Sequence, residues 1–183
     1  IVYAAYENKV YVSYDNGISN QVLRTFGSTV WNIKTTRSNP NVLYVITEAN
    51  GLWKTIDGGV NWTQHNITLH NSNYNANGLQ CFIDVSQTNP NELWLAYINW
   101  SGNYSINNSY RIFKSTNGGQ TWQTLDTSVL NGFTVKEMAH QYGTNGGVYL
   151  IGFDSNSVAK CYYRNNSMTN WDDYSAGLLS GSL

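Results

Sequence analysis

The chain has 183 residues and a net charge of −1, long enough to bury a real core within one domain. Charged residues make up 11% of it and aromatic residues 14%, against roughly a quarter charged in an ordinary soluble domain, which excludes a disordered chain and implies a neutral polar coat over an aromatic-rich core. The lysines and arginines are scattered singly, which excludes the basic stripe that nucleic acid requires, and no apolar run approaches the roughly 20 residues of a membrane span.

In chain order, residues 1–6 (IVYAAY) and 10–13 (VYVS) alternate as strands centred on Tyr3 and Tyr11. The turn Ser13-Tyr14-Asp15-Asn16-Gly17 follows them. Residues 30–36 (VWNIKTT) start a new unit that passes Asn39-Pro40-Asn41, a turn signal in which proline presets φ. Residues 42–47 (VLYVIT) and 52–55 (LWKT) carry the next aromatic pair, Tyr44 and Trp53, and run into Thr55-Ile56-Asp57-Gly58-Gly59 and Asn61-Trp62. The order then recurs. Residues 81–86 (CFIDVS), Asn89-Pro90-Asn91, 92–97 (ELWLAY) and 112–115 (IFKS) lead to Ser115-Thr116-Asn117-Gly118-Gly119 and Thr121-Trp122. A weaker copy comprises 135–140, 147–152 (GVYLIG) and 161–164 (CYYR), and its turn region, 164–171, has lost the Asp and the Gly.

Four short strands per ~40–50 residues is the spacing of one propeller blade. The recurring pattern S/T-x-D/N-x-G-x-T/N-W resembles the Asp box (BNR repeat) of sialidase-like propellers. Its fullest stretches, 51–62 and 112–122, resemble the variant used in xyloglucanase-type glycosidases, sortilin ectodomains, photosystem II assembly factors and secreted Bacteroidetes proteins. The chemistry of the box is structural: an Asp or Asn accepts hydrogen bonds from its own turn, Gly supplies φ > 0, and Trp wedges between sheets. The expected fold is all-β, a propeller of four-stranded antiparallel blades with Asp-box turns. About four blades are expected, at 1–28 (partial), 29–78, 79–132 and 133–183, as one segment of a larger ring completed by further blades from the same chain or another subunit. The absence of an initiating Met and of a signal peptide also reads as a piece of something longer.

Function is expected where the repeat is broken, because repeat proteins place their insertions on a binding face. The resemblance implies that the loop between strands two and three lies opposite the boxes. In the third blade that loop, 98–109 (INWSGNYSINNS), is much the longest, and the loop 66–78 adjoining it is long too. Together they supply Trp100, Tyr104, Tyr74 and His70 among many Asn, rings and amides suited to a glycan or a protein surface. Two carboxylates, Asp84 and Glu137, fall on predicted innermost strands, where a xyloglucanase-like hydrolase would carry its pair. A structural, hydrogen-bonded role is the stronger expectation for either. Arg24, Arg37, Arg111 and Arg164 are isolated, unlike the arginine triad of sialidases. No catalytic residue is assigned.

His65, His70 and His140 lack Cys or His partners at zinc spacing, and no metal or cofactor is expected. Cys81 and Cys161 sit in apolar strand positions and are expected to be buried core thiols, Cys161 in the slot of Val10, Leu52 and Ile112. Asn-x-Ser/Thr sequons at Asn61, Asn66, Asn99, Asn103, Asn107 and Asn165 are no more than this Asn-rich composition gives by chance. The function expected is a non-catalytic, extracellular or cell-surface binding and scaffold module without membrane insertion, recognising a glycan or protein. The alternatives are part of a polysaccharide-active glycoside hydrolase and a sortilin-like peptide-binding ectodomain.

Overall fold

A computed structural model describes residues 1–48, 51–65, 67, 81–98, 110–143 and 146–176. The chain divides into two compact units, Ile1–Gly78 and Leu79–Leu183. Every sheet in both is an antiparallel meander of consecutive strands, the arrangement of a propeller blade, and each unit holds two blades.

In the first unit β1 (Val2–Tyr6), β2 (Lys9–Ser13) and β3 (Gln21–Thr25) make a three-stranded sheet, followed by four strands in β4 (Val30–Thr36), β5 (Asn39–Thr47), β6 (Gly51–Thr55) and β7 (Thr63–His65). Phe26 N closes the end of the first sheet on Asn8 O at 2.8 Å, and Val30 N at the start of the second sheet donates to Glu7 O of the first at 2.7 Å. Val10, Phe26 and Val45 are buried between them, with Trp53 and Trp62 packed against the cluster. Arg24 lies over those rings, its guanidinium carbon 4.5 Å from Trp53, 5.1 Å from Phe26 and 5.6 Å from Trp62, so its charge is held by aromatic faces.

In the second unit β8 (Cys81–Val85), β9 (Leu93–Ile98), β10 (Tyr110–Ser115) and β11 (Gln123–Leu125) form the third sheet. A single 3-10 turn, Ser128–Leu130, which the sequence pattern did not announce, leads to the fourth sheet. That sheet comprises β12 (Thr134–His140), β13 (Val148–Phe153), β14 (Ala159–Arg164) and β15 (Asp172–Asp173). Its core joins both blades: Trp94, Ala96 and Ile112 meet Leu130, Phe133, Met138, Leu150 and Trp171. The copy at 135–140, weakest in sequence, is a full strand with a bulge between Val135 and Glu137.

The register explains why each blade carries two aromatics. Val45 faces Trp53 and Leu95 faces Phe113, while Tyr44 faces Lys54 and Trp94 faces Lys114. The aromatics of neighbouring strands are offset by one residue and therefore occupy opposite faces of the sheet. Each lysine covers the ring opposite it, with Nζ 5.4 Å from Tyr44 and 5.2 Å from Trp94.

Two local expectations need correction. The first Asn-Pro-Asn does not precede its strand: Asn39 and Pro40 are drawn into β5, and the turn falls at Arg37-Ser38. Asn39 keeps its turn chemistry all the same, since Oδ1 accepts the Asn41 amide at 3.2 Å, as Asn89 does for Asn91 at 3.1 Å. Cys81 is buried as expected, and burial pushes its thiol up to about 12. Cys161 does occupy the repeat slot of Ile112, but it is only half-buried, because Ile151 opposite it is 44% exposed and that face of the sheet is open.

Candidate functional site

The four rim residues expected to bind a partner, Trp100, Tyr104, Tyr74 and His70, lie outside the described residues. What the structure fixes is the base of the long loop 99–109. Ile98 and Tyr110 form the last rung of the β9–β10 ladder, so the insertion 99–109 leaves and re-enters the sheet at one closed point. The equivalent connections elsewhere are shorter. Residues 7–8 turn at the Tyr6–Lys9 rung, helped by a positive φ of 52° at Glu7. Residues 154–158 are closed by Asp154, whose Oδ1 accepts the amides of Asn156 and Val158, each at 2.9 Å. A loop on a rigid ladder is where a scaffold can vary without unfolding.

The two inner-strand carboxylates have different fates. Asp84 is buried, and its Oδ2 accepts the backbone amide of His140 on β12, so it ties the innermost strand of one blade to that of the next. Glu137 is exposed, and its Oε1 accepts the amide of its neighbour Met138 at 3.1 Å. Among the described residues no group of three or more His, Cys, Asp or Glu is placed to hold a metal ion.

The Asp-box turns form a nearly identical hydrogen-bonded unit in three blades. The hydroxyl comes first: Ser13, Thr55 and Ser115 each accept the amide four residues on, from Gly17 at 2.8 Å, Gly59 at 2.9 Å and Gly119 at 2.9 Å. Each hydroxyl also donates to the Asp or Asn two residues on, at 2.7 Å to Asp15, 2.7 Å to Asp57 and 3.0 Å to Asn117. That side chain in turn accepts the amide of Ser19, Asn61 or Thr121, each at 2.9 Å. In the two fullest copies the indole N–H closes on its own turn, Trp62 to Gly59 O at 2.8 Å and Trp122 to Gly119 O at 3.1 Å. The turn docks on the Asn-Pro-Asn segment of the same blade, through Gly58 N to Asn41 O and Gly118 N to Asn91 O. The hydroxyl, the Asp or Asn oxygen and, where present, the indole N–H of each box are thus occupied by the turn itself.

These hydrogen bonds set the acidity of the boxes. Asp15 is held down to about 2, chiefly by the Ser19 hydroxyl, and Asp57 to about 2, chiefly by the Asn61 amide. Gly59 is required by space as well as by its φ of +99°: a Cβ there would come within 2.6 Å of Leu23 on β3.

The fourth box is different. Arg164 stands where the other three have a hydroxyl, and Trp171 keeps the place of Trp62 and Trp122. Without the hydroxyl and the glycines, the turn is rebuilt around Asn165, whose Oδ1 accepts the Ser167 amide at 2.9 Å and its hydroxyl at 2.8 Å. The Trp171 indole leaves its own turn and donates to Asp126 O at 3.0 Å in the preceding blade, where its ring meets Trp94 edge-on at 6.1 Å. Arg164 lies over the Trp171 ring at 5.9 Å. The sequence showed the arginine in this slot; its reach across the blades depends on contacts that no local pattern encodes.

Comparison with known proteins agrees with this geometry. The Sortilin-Vps10 family model, described as sortilin, neurotensin receptor 3, matches residues 8–176. No curated protein matches the chain. Among solved structures, YCF48 bound to D1 peptide is similar with a TM-score of 0.58 at 14% identity, over 94% of this chain and 50% of that one. A crystal structure of an ancestral GH74 enzyme is similar with a TM-score of 0.53 at 17% identity, over 97% of this chain and 30% of that one. YCF48 from Cyanidioschyzon merolae is similar with a TM-score of 0.52 at 15% identity, over 79% and 39% respectively. At these identities the likeness is one of fold, and the chain spans half or less of the length of each of these structures.

Proposed function

The chain belongs to the Sortilin-Vps10 family, and we propose that it serves as a non-catalytic binding and scaffold propeller, extracellular or at the cell surface, that engages a protein segment through its rim loops. The observation that carries this reading is the large break in the repeat between the second and third strands of the third blade. Residues 99–109 leave the sheet at the closed Ile98–Tyr110 rung and bring Trp100 and Tyr104 with a run of asparagines. Aromatic rings anchor a partner and amides adapt to its backbone. A solved neighbour of the same fold holds a peptide, which supports a protein ligand by analogy of fold alone. Residues 66–78, with Tyr74 and His70, extend the same reading.

The second reading, a glycan ligand, draws support from the same loop composition, since rings stack on the apolar faces of sugars and amides hydrogen-bond both ways. A hydrolytic role has less support in this chain. Two carboxylates flanking a cleft are the usual requirement, and Asp84 is committed to the backbone of His140. Among the described residues no helix is long and apolar enough to cross a membrane.

The test is a paired peptide and glycan array probed with the 183-residue chain and with Trp100→Ala and Tyr104→Ala. Peptide binding that both variants lose supports the protein reading, and glycan binding that both lose supports the second. Release of reducing sugar from polysaccharide by the chain would overturn both.

A further inference from the structure

The rebuilt turn of the fourth blade borders a polar cleft within the second unit. It has a volume of about 400 Å³ and is walled by Lys114, Gln123, Asp126, Arg164, Asn166 and Thr169, a size within the range of small-ligand sites. It lies where β10 ends and the box begins. The loop 99–109 joins the same strand at its other end.

The charges in its walls are unequally satisfied. Asp126 is occupied: Oδ1 accepts the Ser128 amide at 2.8 Å, which together with the Ser128 hydroxyl holds this carboxyl below its usual range. Lys114 is also occupied, 3.2 Å from Glu92 and donating to Asn166. Arg164 is satisfied only in part: the Asp126 charge acts on it, but it is 9% exposed and its Nη1 is buried without a hydrogen-bond acceptor. The Trp171 ring covers one face of the guanidinium, which leaves its edge as the donor-bearing side. Burial of a charged donor without an acceptor is costly, and a planar guanidinium fork matches an oxyanion better than any neutral group. Burial accordingly lowers the Arg164 pKa, with only a partial offset from Asp126.

We propose that this cleft binds the carboxylate of a small ligand, with Arg164 as its anchor and the Gln123 amide and Thr169 hydroxyl as neutral donors at the mouth. The three intact boxes cannot do this, since each fills the same slot with a short hydroxyl spent on its own turn. The fourth blade has exchanged a turn-closing hydroxyl for a reaching cation, and the cleft lies beside that exchange.

An amino-acid side chain and a uronic acid both present this group, and titration calorimetry with amide chemical shifts over 164–171 separates them. The probes are N-acetylglutamate and glucuronate, with N-acetylglutamine and glucose as uncharged counterparts, added to the 183-residue chain. Binding of either carboxylate, with its neutral counterpart roughly tenfold weaker or more, is expected. Arg164→Gln should lower affinity by a similar factor. Because Arg164 is buried, a second pair at the exposed Thr169 guards against misfolding: Thr169→Glu should weaken binding severalfold and Thr169→Gln should not. Failure of both carboxylates to bind at millimolar concentration, equal binding of the neutral counterparts, or insensitivity to Thr169→Glu would overturn the proposal.

Discussion

The second and fourth blades close their last hairpins at equivalent places with opposite chemistry. At 55–62 the hydroxyl, the carboxylate, the glycines and the indole all bind one another, so the side-chain hydrogen bonds of the turn close within it. At 164–171 the hydroxyl is an arginine, and the indole binds the preceding blade instead of its own turn. A sealed turn reports only on fold. A turn that has exchanged its internal bonds for contacts between blades carries packing energy and has polar capacity to spare.

The sharpest test of that contrast is the tryptophan. Both rings pack on the preceding blade, but Trp171 is 5% exposed and also donates its indole N–H there, whereas Trp62 is half-buried and keeps its indole N–H within its own turn. Trp171→Ala should cost about 3–5 kcal/mol and Trp62→Ala about 2 kcal/mol, read from urea unfolding midpoints. Equal losses would mean that the fourth box is as self-contained as the second.

Glycine gives the next largest effect. Gly59→Ala meets both an unfavourable φ and the Leu23 side chain, while Gly17→Ala, at the equivalent turn position with φ +92°, meets nothing within 4 Å. Costs of about 2–3 and about 1 kcal/mol respectively are expected from thermal unfolding. Thr55→Val, which removes the acceptor of the Gly59 amide and the donor to Asp57, should cost about 1–2 kcal/mol. It should also speed hydrogen exchange at Gly59.

Acidity separates the boxes most gently. Asp57 is held below its unfolded value, so the stability it adds is present above about pH 4 and is lost as pH falls toward the folded value of about 2. Asn117 fills the same place without a charge. Amide exchange at Asn61 should therefore rise between pH 4 and 2, and exchange at Thr121, corrected for its intrinsic rate, should show no matching step. Asp57→Asn should abolish the difference.

How much of this was legible in the sequence follows the range of each interaction. The boxes are legible in the sequence because the partners of their hydroxyl, Asp or Asn and indole lie within four residues, and the blade order follows from their recurrence. The degeneration of the fourth box was visible too, yet its outcome depends on Asp126, 45 residues from Trp171. Cys161 shows the same limit. Its slot in the blade was read correctly, but whether another sheet covers that face is not written in the strand. Asp84 was placed on an inner strand, and its hydrogen bond to His140 spans 56 positions. Trp100, Tyr104, Tyr74 and His70 stand out by loop length and composition alone, and they lie outside the described residues.

The boxes are frame, and the break in the repeat is the binding element we propose. It is tested most directly by replacing residues 99–109 with Asn-Gly, which joins Ile98 to Tyr110 across their existing rung by a tight hairpin turn, and measuring capture of a random 15-residue peptide library together with the melting temperature. An unchanged melting temperature with lost peptide capture is expected. Undiminished capture by the shortened chain would contradict it.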